Sequence, residues 1–159
     1  LLQVIRKTVA TDPDRKLNAK IMMDVHDRLI IFYNYNYERD VLIEIAEELG
    51  KEYFEWNGHA HEDIPDQEQW LYFVQYTAGA EGWNCISTNA IMFYSVNYSF
   101  RYMEQAEGRI DRINTPYNVL EYYYLTSHSQ IEKDILKTVN RKKNFNASAW
   151  VERSGTTFH

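Results

Sequence analysis

The chain has 159 residues, 45% of them apolar and 25% charged, which excludes disordered and collagen-like polypeptides and suits one globular domain. No apolar run approaches the ~18 residues of a membrane span, and no charged-then-apolar leader opens the sequence, so neither membrane nor secretion is expected. With 17 basic against 23 acidic residues the net charge is −6, which excludes a bulk basic surface and leaves nucleic-acid binding to local contacts. The lone cysteine, Cys85, fits a cytoplasmic location, and the opening Leu1 reads as the start of a piece of something longer.

The first ten residues are equivocal between helix and strand. Asp12 and Pro13 then cap and open a helix with Leu17, Ile21, Met22 and Val25 on one face, the expected core face. LIIFY at 29–33 is the run of a strand buried on both faces. Asn36 offers the cap of a second helix, and Glu38 sits in its first turn, where the dipole favours an anion. Tyr37, Val41, Leu42, Ile45, Ala46 and Leu49 follow at helical spacing, and Gly50 stands where a C-terminal glycine belongs. Further strands are expected at Tyr53–Trp56, Leu71–Tyr76, Ala90–Tyr94 and Val119–Leu125. The polar stretch 57–70 reads as a loop with room for one helical turn. Ser99 caps a helix running to about Glu107. Ser129 and Glu132 form the capping box of a last helix, with Ile131, Ile135, Leu136 and Val139 as its apolar stripe. Strand and helix alternate throughout, so the expected fold is α/β, a parallel sheet covered on both faces in three layers.

In such a sheet ligands bind beyond the carboxyl ends of the strands. After LYFVQY comes TAGAEGWN, in which Gly79 and Gly82 let backbone amides approach a phosphate or ribose. A tight strand-to-helix turn needs the same glycines. After the Ser99 helix comes QAEGRIDR, in which Gly108 ends or loosens the helix. Arg109 and Arg112 are three apart and project to one side if the next turn is helical, a fork suited to a polyphosphate. Surface salt bridges to Glu104, Glu107 or Asp111 are the plainer use of the same arginines.

These segments resemble the motifs of the second RecA-like domain of superfamily-two helicases and translocases. QAEGRIDR resembles the sixth motif, TAGAEGWN the fifth in the form found in Swi/Snf-type translocases, and RLIIFYNY the fourth, all in the family's order. RINTPYNVLEYYYL and SQIEKDIL parallel the segments that follow, so the likeness spans roughly residues 17–140, in the flavour of compact bacteriophage DNA helicases. The chain departs from the Swi/Snf form at Asn114 and Thr115, where Gly-Gln is usual. It also has no G-x-x-x-x-G-K-[ST] loop and no D-E-x-[DH] box after a strand.

The resemblance implies a RecA-like, P-loop NTPase-type fold over residues 17–144, preceded by a linking segment 1–16 and followed by a tail 145–159. It implies the C-terminal motor domain of an ATP-dependent DNA helicase, inactive without a first RecA-like domain that holds ATP and Mg²⁺. Arg112 is then the expected arginine finger, with Arg109 beside it on the phosphates or on a neighbouring acid. Gln105, Gly79, Glu81, Gly82 and Asn84 line the nucleotide cleft. Asn34, Tyr35, Gly58 and Thr77 hold the DNA backbone, a grip too sparse for this half alone to bind DNA well. The implied partners are DNA and the preceding ATPase domain, with no membrane and no metal held by this chain. Other readings are an RNA helicase domain, a non-catalytic RecA-like docking module, or a dinucleotide enzyme, the last opposed by the absence of G-x-G-x-x-G after the first strand.

Three remaining features have mainly structural readings. His59 and His61 lie in a polar loop without a second ligand pair, so a solvated loop is expected rather than a metal site. The cluster Lys137, Arg141, Lys142 and Lys143 reads as cations at a helix C-terminus. Trp83, beside Gly82, is expected to pack beneath the motif loop.

Overall fold

The computed structural model describes residues 2–78 and 83–127. Six strands are resolved among them: β1 (Gln3–Ala10), β2 (Arg28–Tyr33), β3 (Tyr53–Trp56), β4 (Trp70–Gln75), β5 (Ala90–Phe93) and β6 (Val119–Thr126). The helices are α1 (Arg15–Val25), α2 (Asn36–Leu49) and α3 (Phe100–Glu107). The strands form one sheet in the order β1-β6-β5-β2-β4-β3, and every pairing is parallel. This is the expected α/β architecture of a RecA-like domain.

Side-chain alternation builds two cores. Leu29, Ile31 and Tyr33 of β2 point to one face, where Leu71, Phe73, Met92 and Leu125 join the inner sides of α1 and α2. Ile30 and Phe32 point to the other, with Tyr72, Phe93, Tyr122 and Tyr124, beneath α3 and Trp83. Both faces are therefore apolar, which is why β2, β4 and β5 read as unbroken hydrophobic runs.

The opening segment, expected to be a linker, contributes β1 at the sheet's edge. Its charges are matched by residues far along the chain. Arg6 donates to Glu107 at 2.6 Å, and Lys7 to Glu121 at 2.8 Å. Burial opposes the charge on Arg6, yet the Glu107 carboxylate outweighs it and holds its pKa above the ordinary value.

α1 is capped by Asp14, whose side chain accepts from the Leu17 amide, not by Asp12. Its expected core face is rotated. Ala19, Met22 and Met23 are buried, while Leu17, Ile21 and Val25 are exposed. The small Ala19 and the flexible Met22 and Met23 fill the space over the sheet, and the contact with α2 is edged by exposed ion pairs, Lys16 to Glu44 at 2.8 Å and Lys20 to Glu48 at 3.6 Å.

α2 begins one residue early, with Tyr35 as its cap residue, and ends at Gly50 in the left-handed conformation, φ 66°. Tyr37, expected on its core stripe, is exposed. Ser99 caps α3 as expected, its hydroxyl accepting from the Tyr102 amide. No helical turn forms in the loop between β3 and β4, where His61 instead stacks on Trp56 with ring centroids 4.5 Å apart. The expected last helix from Ser129, with its stripe and its cationic cluster, lies outside the described residues, as do Gly79, Glu81 and Gly82.

Candidate functional site

Two places in the fold gather the candidate residues. The first is the crevice beyond the carboxyl ends of β2 and β5. These strands are neighbours, but α2 leaves β2 on one face and α3 leaves β5 on the other. This divergence is the topological switch point at which open α/β sheets bind ligands. The cavity there has a volume of about 310 Å³ and is lined by Arg15, Asn34, Tyr35, Tyr37, Glu38 and the segment Tyr94–Tyr98.

Glu38 organises this rim. It is buried, and its Oε1 accepts from the amides of Asn34 at 2.8 Å and Tyr35 at 3.1 Å and from the Ser95 hydroxyl at 2.9 Å. The side chain that closes the first turn of α2 thus also ties it to the β5–α3 loop. Asn34 donates to Ser95 Oγ at 2.8 Å and to the Val96 carbonyl at 3.1 Å, and accepts from Asn97 Nδ2 at 2.8 Å. Arg15 lies over the Tyr94 ring and donates to the carbonyls of Tyr94 and Leu125. Tyr35 and Tyr37 stand outside this polar network, 59% and 67% exposed, with their rings stacked on each other. Gly58 and Thr77 are exposed just past the ends of β3 and β4, on the same rim. Of the four expected nucleic-acid contacts, Asn34 is therefore spent on the protein, while Tyr35, Gly58 and Thr77 are open to solvent.

The second place lies on the flank of the sheet at the far end of α3. Gly108 closes the helix, and the chain turns, bringing Arg109 inward. Its guanidinium lies over the Trp83 ring at 5.1 Å and donates to the Trp83 carbonyl at 2.8 Å. Its own carbonyl accepts from the Cys85 amide at 2.9 Å. Burial lowers the Arg109 pKa, the nearby Arg112 charge lowers it further, and the Tyr72 phenol opposes both. Arg112 itself is exposed. Because the turn after Gly108 is not helical, the two arginines do not stand side by side as a fork. One is packed on the sheet, level with Trp83, and the other faces solvent.

This geometry brings the two motif segments together. Asn84 is exposed between Trp83 and Cys85, the residues that Arg109 grips from both sides. Gln105 lies half-buried on α3, one turn before this contact. Trp83 packs into the core, edge-on to Tyr72 with centroids 5.3 Å apart and stacked towards Phe32 at 6.4 Å, while residues 79–82 of the motif loop it was expected to underlie fall outside the described residues. The arginine end and the rim crevice are distinct, one at each end of α3. Sequence reasoning passed over the residues that frame the crevice, Arg15, Ser95 and Asn97. A polar S-x-N after an apolar strand was the available signal.

No family model matches the sequence, and no curated protein matches it. Among solved structures the chain is similar to the C-terminal part of the Fun30 ATPase domain, with a TM-score of 0.62 and 17% identity. The match covers 77% of this chain and 42% of that one, so the chain spans less than half of the neighbour's length. The likeness establishes the shared fold of the described sheet and helices.

Proposed function

We propose that the chain is the C-terminal motor domain of an ATP-dependent DNA helicase or translocase of superfamily two. The observation that carries this reading is the joining of the two motif segments. Arg109 clasps the chain on both sides of Asn84, in a fold shared with part of an ATPase domain, and the exposed Arg112 follows directly.

In this reading a preceding RecA-like domain holds ATP and Mg²⁺, since no phosphate-loop lysine or acidic box stands in this sequence. The cleft closes on the Asn84 side, with Gln105 and the residues Gly79, Glu81 and Gly82 along it. Arg112 supplies the arginine finger, stabilising charge that spreads over the equatorial oxygens during phosphoryl transfer. Arg109 acts as a positioning residue: packed on Trp83, it fixes the base from which Arg112 projects. The rim with Tyr35, Gly58 and Thr77 holds the nucleic-acid strand, and opening and closing of the cleft moves that grip along it.

The test is DNA-stimulated ATP hydrolysis by the longer polypeptide in which this chain follows its ATPase domain. Arg112→Ala is expected to lower turnover by about 10³–10⁵-fold, with nucleotide binding largely retained. Near-normal turnover refutes the finger assignment. Stronger stimulation by RNA than by DNA assigns the motor to RNA instead. A gene with no phosphate-loop lysine and acidic box upstream of Leu1 overturns the motor reading itself.

A further inference from the structure

The rim crevice carries a feature that backbone holding does not use. Tyr35 and Tyr37 are large aromatic side chains, 59% and 67% exposed, with ring centroids 5.6 Å apart and planes within 9° of parallel. They flank a cavity of about 310 Å³ whose remaining lining is mainly polar, including the side chains of Asn34, Ser95 and Asn97. An aromatic pair left in water offers the π-faces on which a nucleobase stacks, beside a wall whose amides are engaged with one another and hold it fixed.

The alternatives to a base fit poorly. An anion is disfavoured because the buried Glu38 carboxylate already takes the amides of Asn34 and Tyr35, just before α2, and Arg15 is engaged with two carbonyls. Among the described residues Arg15 is the one cationic side chain in the lining of the crevice, and it is so engaged, so a strand held there gains more from its bases than from its phosphates. Every base has a π-face, and stacking on exposed aromatic side chains holds single strands without reading their sequence.

We propose that Tyr35 and Tyr37 form a base-stacking platform at the β2/β5 crevice, which takes an unpaired base of a single nucleic-acid strand. This rests on the proposed motor reading and deepens it: the strand is gripped by a base as well as by its backbone. The amides of Asn34 and Asn97 border the site, and their mutual hydrogen bond keeps the wall of the crevice fixed. A base in a duplex has both faces covered by its neighbours, so the platform selects single strands.

The experiment is an NMR titration of this chain with an oligothymidylate of about eight nucleotides, a length within the usual site range. The parallel ligands are an abasic strand of the same length and free thymidine monophosphate. Ring protons of Tyr35 and Tyr37 are expected to move upfield with the oligothymidylate. The doubly substituted Tyr35→Ala/Tyr37→Ala chain is expected to bind it about 5- to 100-fold more weakly. Tyr35→Phe/Tyr37→Phe, which keeps the rings, is expected to retain the binding, which separates stacking from any disturbance of α2. Equal binding of the abasic strand, or unchanged binding by the alanine chain, overturns the platform while leaving the backbone-holding reading intact. If neither strand binds, the platform falls, while the backbone-holding reading, which already expects a weak grip from this half alone, is judged by the ATPase assay of the longer polypeptide. If thymidine monophosphate matches the oligothymidylate in affinity and shifts, the crevice is a free-nucleotide site and the strand proposal is overturned.

Discussion

Arg109 and Arg112 stand three residues apart in one motif, yet the structure gives them different work, and paired substitutions separate the two. Arg109→Ala removes a charge-assisted hydrogen bond to the Trp83 carbonyl, measured at 2.8 Å, and a cation–π contact at 5.1 Å. Such a hydrogen bond contributes about 1.5–3 kcal/mol and a desolvated cation–π contact about 1–2 kcal/mol. Truncation also leaves a carbonyl without its partner. Against this, the variant no longer has to bury a guanidinium, whose lowered pKa records that cost. The net loss is about 2–3 kcal/mol. For a domain of this size each kcal/mol moves the thermal midpoint by about 2–4 °C, so Arg109→Ala is expected to melt roughly 5–10 °C lower. Arg112 is exposed, so its alanine variant is expected to stay within about 0.5 kcal/mol of the parent. Urea unfolding followed by tryptophan fluorescence measures both, with Trp83 as a local reporter. Equal stability of the two variants refutes the assignment of Arg109 to packing. In the ATPase assay both lower turnover, but only Arg109→Ala does so together with a loss of stability.

Three other outcomes follow from single features of the fold. Glu38→Ala strips the acceptor from two amides and the Ser95 hydroxyl and is expected to cost about 2–4 kcal/mol, with Glu38→Gln costing less; coincident urea midpoints for all three chains contradict this. Gly50 has φ 66° with open space where a Cβ would be, so Gly50→Ala is expected to cost about 1–2 kcal/mol from backbone strain alone, and an unshifted urea midpoint contradicts it. Burial holds the phenols of Tyr72, Tyr122, Tyr123 and Tyr124 above their ordinary pKa of 10.0, with neighbouring carboxylates adding to the effect. Above that pH the unfolded chain binds fewer protons than the fold, so stability falls by about 1.4 kcal/mol per pH unit for each such tyrosine, until its folded pKa is passed. A cooperative alkaline unfolding is therefore expected, with tyrosinate absorbance and circular dichroism changing together; smooth ionisation of all 13 tyrosines with the dichroism unchanged contradicts it.

Where the sequence was legible, the signal was local. The run Leu29–Tyr33 is apolar because both faces of β2 are covered, and Gly50 and Ser99 mark helix ends through their own backbone or hydroxyl. Each of these reads correctly without knowledge of any distant residue. β1 was not legible because Arg6 and Lys7 interrupt its apolar pattern. Their partners, Glu107 and Glu121, are 101 and 114 residues away in sequence. The face of α1 was misread for a related reason: periodicity gives a stripe but not the helix's rotation, which is set by packing of Ala19, Met22 and Met23 against residues distant in sequence. The arginine motif was visible as chemistry, but the inward turn of Arg109 depends on Trp83, 26 residues upstream. The rim crevice was least legible of all. Its walls come from two loops 61 residues apart, joined by one buried carboxylate that the sequence marks only as a first-turn acid.

The separation of the two candidate sites sets how the proposed motor would couple them. The rim and the arginine end are linked by α3, eight residues and about 12 Å long. Its first turn is anchored to the rim, since the Ser99 amide donates to Asn97 Oδ1, and Asn97 donates to Asn34. Its last turn is anchored to the sheet through Glu107, which accepts from Arg6 and from the Tyr124 hydroxyl while its carbonyl accepts from Tyr122. Arg109 follows two residues later. A helix pinned at both ends transmits displacement without absorbing it, because its hydrogen-bonded backbone is stiff over two turns and both anchors are partly or wholly withdrawn from water. A displacement at the arginine end therefore has a short, stiff path to the crevice. The buried aromatic stack of Phe93 and Tyr124 beneath it, with centroids 4.7 Å apart, keeps that path from shifting against the sheet. If the proposed motor reading holds, this geometry makes the rim and the arginine end move as one body, and the give belongs at the junction with the proposed ATPase domain.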